Sequence, residues 1–179
     1  MSGLFTLVGF AAKLVAIEHD LTEVGPAIVA RACEMVANAA KEALGTYEFG
    51  WISLRPETIA HKMRGDSPLL ETGELRDSIQ WNSSGLLGHV GSNLDRAVWQ
   101  ELGTSRGIPP RPFLGAAAAQ QEALIYKMAG RAVAGVLRGE GLASAEMREL
   151  LHVLHLVKHA VKELRELIPE DPDKNKGRR

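Results

Sequence analysis

The sequence predicts an α+β protein: N-terminal and central helices packed on a small antiparallel β-sheet, followed by a C-terminal helical extension. Three observations carry this reading. Alanine-rich stretches on both sides of the middle repeat their apolar residues at helical intervals. Two short runs around Ser83-Ser84-Gly85 change to a period of two. After Gly139 the apolar residues recur by threes and fours, as in a coiled-coil seam.

Each element has its own signal. Phe10 to His19 carries helical spacing, and a longer helix is predicted from Pro26 to Leu44. Pro26 suits a first helical turn and Gly45 suits the stop. Val24, Ile28, Met35, Val36 and Ala39 supply one apolar face. Between Thr46 and Leu70, Gly50, Pro56, Gly65 and Pro68 interrupt any long element. A long connection is expected there, with one helical turn near Pro56–Met63; such loops in small domains usually meet partners. Leu75 to Asn82 and Leu86 to Ser92 read as the strands of a hairpin. Asp95 to Leu102 reads as a helical turn, and Gly103 to Pro112 as a loop stiffened by prolines. A helix is predicted from Phe113 to Leu137, a break at Gly139-Glu140-Gly141, and a further helix from Ser144 to Ile168. The tail 169–179 is charged and expected to be disordered. The expected units are therefore 1–138, an α+β domain, 139–168, an amphipathic helix, and the tail.

Composition limits the function classes. The chain has 179 residues, 45% of them apolar and only 5% aromatic, so Leu, Val and Ala must do most of the packing. A formal charge of −1 argues against a protein that coats nucleic acid. Cys33 stands alone, which excludes an intramolecular disulfide and zinc-finger spacing. The apolar run Leu4 to Ile17 holds Lys13 inside it rather than ahead of it, unlike a signal peptide. No uncharged stretch approaches the roughly 18 to 20 residues of a bilayer span. A soluble, untargeted protein of a reducing compartment such as the bacterial cytoplasm, with no membrane partner, is expected.

Three clusters hold the most specific signal. The first is Trp51-Ile52-Ser53-Leu54 with Pro56, Thr58-Ile59 and Lys62. The second runs from Pro68 through Thr72-Gly73-Glu74-Leu75 to Ile79. The third joins Glu101-Leu102-Gly103-Thr104 to Pro109-Pro110-Arg111-Pro112-Phe113-Leu114-Gly115. In order and spacing they resemble the virion morphogenesis and tail-completion proteins of tailed bacteriophages and the related small neck proteins. The resemblance spans about Leu21 to Leu137. Trp99 departs from it, and the segment after Gly139 has no counterpart in it.

The resemblance implies a structural virion protein without catalytic site or cofactor, assembled in the host cytoplasm into the phage neck or tail. Its expected partners are further copies of itself in a cyclic, hexameric homo-oligomer, neighbouring neck, portal-side or tail-tube proteins, and transiently the genomic DNA in the lumen. The expected assembly residues are Trp51, Leu54, Thr72, Gly73, Leu75, Glu101, Gly103, Thr104, Arg111, Pro112 and Phe113. Thr72-Gly73 and Gly103-Thr104 suit turns, and Phe113 and Leu114 suit helix anchors. Arg111, on a stiff loop, is placed to pair with a carboxylate, Glu101 being one candidate.

Other chemistry finds less support. His152, His155 and His159 share one face of the expected last helix, but neither HExxH nor a cysteine ligand accompanies them, so no metal is expected. Met147, Leu150, Leu154, Val157, Val161, Leu164 and Ile168 form the seam. It packs either on its own domain or on a neighbour, with Leu150, Leu154, Val157, Val161 and Leu164 as the possible interface. Cys33 has no evident His partner, Ser83-Ser84-Gly85 is no nucleophile elbow, and Gly85-Leu86-Leu87-Gly88 only imitates a phosphate loop. Arg55, His61, Lys62 and Arg64 form a small basic group that could touch DNA. The alternative to a ring subunit is a DNA-contacting or regulatory binding module that dimerises through the C-terminal heptads.

Overall fold

The computed structural model describes residues 7–139 and His159. The helix expected over 144–168, its seam residues and the expected tail lie outside the described residues, His159 excepted.

One helix organises the fold. α1 runs from Leu7 to Ala43, so the two helices expected around residues 10–19 and 26–44 are a single element with Pro26 inside it. Proline has no N–H for the Thr22 carbonyl, and an interior proline costs about 3 kcal/mol relative to alanine. Packing on both sides of the proline outweighs this. Val24 and Ala27 are buried against Ala132 and Val136 of a later helix, with Ile17, Leu21 and Ile28 around them. Further along, Ala37, Ala40 and Ala43 are fully buried in the main core. Alanine combines high helix propensity with a side chain short enough for close approach. The expected stop is found: Gly45 has φ +96, donates its N–H to the Pro68 carbonyl at 2.8 Å and ends the helix.

The connection that follows is ordered and contains α2 (Pro56–His61), where a helical turn was expected. The Tyr47 hydroxyl ties it together, donating to Asp66 and accepting the Leu54 N–H at 3.1 Å.

The next segment departs from expectation. Leu75 does not begin a strand; it lies on a helical turn, α3 (Glu74–Asp77), and its side chain is buried. Gly73, at φ +91, starts the turn, and Asp77 N–H and Ser78 N–H donate back to the carbonyls of Gly73 and Glu74, each at 2.9 Å. A spacing of four, Leu75 to Ile79, fits a helix and a strand equally well.

The hairpin itself is found. β1 (Ile79–Ser84) and β2 (Leu87–Ser92) pair antiparallel, with Ile79 opposite Ser92 and Ser84 opposite Leu87. The turn is the two residues Gly85-Leu86, with Gly85 at φ +58, in the glycine-first pattern favoured by two-residue hairpins. Ile79, Trp81 and Val90 face the core, while Gln80, Asn82 and His89 face outward. α1 packs against both strands. They come close at Gly88, where a Cβ would lie 2.3 Å from Cys33 Sγ and 2.9 Å from Val29 Cγ1.

α4 (Asp95–Leu102) follows, then the proline loop and α5 (Leu114–Leu137), which lies along α1. Phe113, Ile79, Ala97, Leu75 and Trp51 close the main core beneath the sheet and α4. Helices packed on a two-stranded antiparallel sheet make this an α+β fold.

Candidate functional site

The three sequence clusters meet at one junction. The Trp51 indole is buried edge-on against Phe49, with ring centroids 5.7 Å apart, and its Nε1–H donates to the Pro112 carbonyl at 3.1 Å. One residue along, the Ile52 carbonyl accepts from Arg111 Nη2 at 3.3 Å. Arg111 also donates its backbone N–H to the Gln100 carbonyl at 2.7 Å. The proline loop is thus held by the first cluster on one side and by α4 on the other.

Glu101 has a role the sequence reading missed. Its Oε2 accepts the N–H groups of Phe113 at 2.7 Å and Leu114 at 3.0 Å, and its Oε1 accepts that of Gly115 at 2.8 Å. These are orphan donors at the start of α5, where the helix dipole favours a negative charge. Phe113 stands at the N-cap position and offers no acceptor, so a side chain from α4 supplies the cap. The suggested Glu101–Arg111 pair therefore does not form: both carboxylate oxygens are taken by backbone, and Arg111 turns to Ile52. Gly103 lies under the same loop. A Cβ there would come within 2.9 Å of the Ile108 carbonyl, while Thr104 N–H donates to that carbonyl at 3.0 Å. Pro112 and Phe113 are placed where a helix start was expected, and Phe113 is fully buried.

Beside this junction a cleft of about 280 Å³ opens between α2, α3 and α4. Leu54, Leu69 and Leu75 form its apolar wall, and Lys62, Arg96, Gln100 and Arg111 its polar side. Thr72 and Gly73 sit at its edge, with the Thr72 hydroxyl accepting the Glu74 N–H at 3.3 Å. Two carboxylates are already engaged there. Lys62 Nζ pairs with Glu71 at 2.7 Å, and Arg96 Nη2 pairs with Glu74 at 2.5 Å. Lys62, and the Met63 N–H at 2.8 Å, hold the Glu71 carboxyl below the usual carboxylate range. Leu69 has φ +60, the one non-glycine residue with positive φ among the described residues. For an L-residue this conformation costs about 1 to 2 kcal/mol, and strain of this kind clusters at functional sites.

Every expected assembly residue from Trp51 to Phe113 lies in the junction or along the cleft. The basic group does not act as a unit: Lys62 is half-buried against Glu71 and the Leu70 carbonyl, while Arg55, His61 and Arg64 are exposed, Arg64 donating its Nε–H to the Glu71 carbonyl at 2.9 Å. Among the described residues no group of three or more His, Cys, Asp or Glu side chains could hold a metal. No helix among them is long and apolar enough to cross a membrane. Arg96 and Gln100 were not singled out from the sequence. The only trace they leave there is their i, i+4 spacing, which puts them on one face of α4.

No family model, no curated protein and no solved structure matches the chain.

Proposed function

We propose that this protein is a non-enzymatic structural subunit of a tailed-bacteriophage particle, joining copies of itself into a ring at the head–tail junction or the tail end. The observation that carries this reading is the junction itself. Side-chain-to-backbone hydrogen bonds of Trp51, Glu101 and Arg111 join the first and third clusters, and Leu75 and Ile79 of the second pack in the same core with Trp51 and Phe113. The clusters that resemble tail-completion proteins are thus one structural unit and not three separate likenesses.

Two surfaces support an assembly role. Among the described residues neither outer edge of the β1–β2 hairpin pairs with another strand, and unpaired edges invite a partner strand. On α4, Val98, Trp99 and Leu102 are exposed, 57, 51 and 73% respectively, and Ile52 in the junction is exposed too. A heterologous contact between such surfaces closes into a ring when its rotation is a fraction of a full turn. The DNA-contacting alternative is weaker, because Lys62, one of the four basic loop residues, is neutralised by Glu71, and the chain carries a net charge of −1.

Native mass spectrometry and electron microscopy of the purified protein test the proposal. A closed ring of defined copy number, also found in purified phage particles, is the expected result. A strict monomer that joins no particle, or binding to duplex DNA with a steep salt dependence, would sink it.

A further inference from the structure

We propose that the cleft lined by Leu54, Leu75, Arg96, Gln100 and Arg111 is a receptor for one carboxylate group, borne on a small apolar body that also carries a hydrogen-bond donor. Charge sets the first requirement. The lining holds Lys62, Arg96 and Arg111 against Glu71 and Glu74, an excess of one positive charge. Glu71 already faces Lys62 and Glu74 already faces Arg96, whereas Arg111 has no carboxylate partner among the described residues. The unneutralised charge therefore sits on Arg111. A monoanion balances it; a dianionic phosphate would be repelled by the two glutamates lining the same cleft.

Hydrogen-bonding capacity sets the second. Four polar atoms of the lining are buried without a hydrogen bond; Glu71 Oε2 is paired with Lys62 Nζ at 2.7 Å, which leaves Arg96 Nε, Arg111 Nε and Gln100 Oε1. A buried polar group without a partner is destabilising, and native proteins rarely leave three together. Two donors and one acceptor are matched by a group with two acceptor oxygens and one N–H or O–H, once the side chains adjust to it. Guanidinium groups are well suited to carboxylates.

Shape sets the third. The volume, about 280 Å³, lies at the small end of ligand pockets, near 300 Å³. The leucine wall accepts a short apolar body, and the strained Leu69 is part of that wall. Two sources offer this chemistry: a free organic acid, and an acidic or terminal residue of a second copy of the chain. The site stands on the cleft alone and does not depend on ring formation.

The test follows the Nε–H resonances of Arg96 and Arg111 by NMR in the full-length protein. N-acetyl-leucine is the probe and N-acetyl-leucinamide its neutral control. The acid is expected to shift both resonances saturably and the amide to leave them unmoved. Arg111→Gln is expected to weaken the acid by about tenfold or more, the loss of one charge-assisted contact. Raising the protein concentration without probe separates the sources. The same two shifts, arising with a self-association that N-acetyl-leucine dissociates in sedimentation velocity, assign the carboxylate to a second copy; their absence assigns it to a free acid. Equal response to acid and amide, or no response of Arg96 and Arg111 to the acid, overturns the proposal. The wild-type titration decides this even if Arg111→Gln fails to fold.

Discussion

The indole N–H of Trp51 donates to the carbonyl of Pro112, 61 positions away in the chain, at 3.1 Å. This bond fastens the stiff proline loop to the segment that leads into α2. Trp51→Phe keeps an aromatic ring in the core but removes the donor and some volume. It should destabilise the fold by about 1 to 2 kcal/mol. Urea unfolding with an unchanged m-value would show the loss; a midpoint equal to wild type would mean that the bond contributes nothing net.

Among the described residues Glu101 is the only side chain capping α5, so its removal strands three backbone N–H groups. Glu101→Ala should cost about 2 kcal/mol, at the upper end of measured helix caps, and Glu101→Gln about half as much. Gln keeps an acceptor but loses the charge and one of the two oxygens. Hydrogen exchange at Phe113, Leu114 and Gly115 should accelerate in the order wild type, Gln, Ala.

Gly88 marks a close approach of sheet to helix. Gly88→Ala drives a methyl group into Cys33 Sγ and should destabilise by about 1 to 3 kcal/mol, as overpacked cores do. Cys33→Ala in the same chain should recover part of that loss. The residual penalty is then assigned to Val29, whose Cγ1 is the next atom in the way. A double-mutant cycle with no coupling would place the contact elsewhere.

Glu71 gives a pH signature. Its carboxyl is held low by Lys62 first and by the Met63 N–H second. A depressed carboxyl stabilises the fold above its unfolded value and loses that contribution as pH falls through its folded value. The loss therefore begins near 4.5 and continues downward. In an NMR titration Glu71 should show a midpoint below that of a free glutamate, and Lys62→Met should raise it. A midpoint unmoved by Lys62→Met would assign the shift to the backbone bond alone.

Periodicity made the helices, the hairpin and the stop at Gly45 legible, because side-chain burial and local geometry there ask for the same residues. It failed where two rules competed. Pro26 reads locally as a helix start, yet Val24 and Ala27 bury against α5, and tertiary packing overrides the local signal. Leu75 and Ile79 fit strand and helix alike, and only Gly73 at φ +91 decides for the helical turn. The junction was visible as three clusters, but not its wiring. Nothing in the order of residues says that Glu101 would reach Phe113 and not Arg111. The cleft was less visible still, since Arg96 and Gln100 acquire their meaning from a loop that returns to them at Arg111.

The capping of α5 by Glu101 has a consequence for biosynthesis. The carboxylate precedes the amides it binds in the order of translation, so the start signal for α5 leaves the ribosome before the helix does. An α5 peptide made alone would lack that signal, whereas a nascent chain carries it already. The ten residues or so between donor and acceptor form a short, proline-stiffened loop whose closure is inexpensive in entropy. α5 can therefore begin to form while its own C-terminal half is still being made.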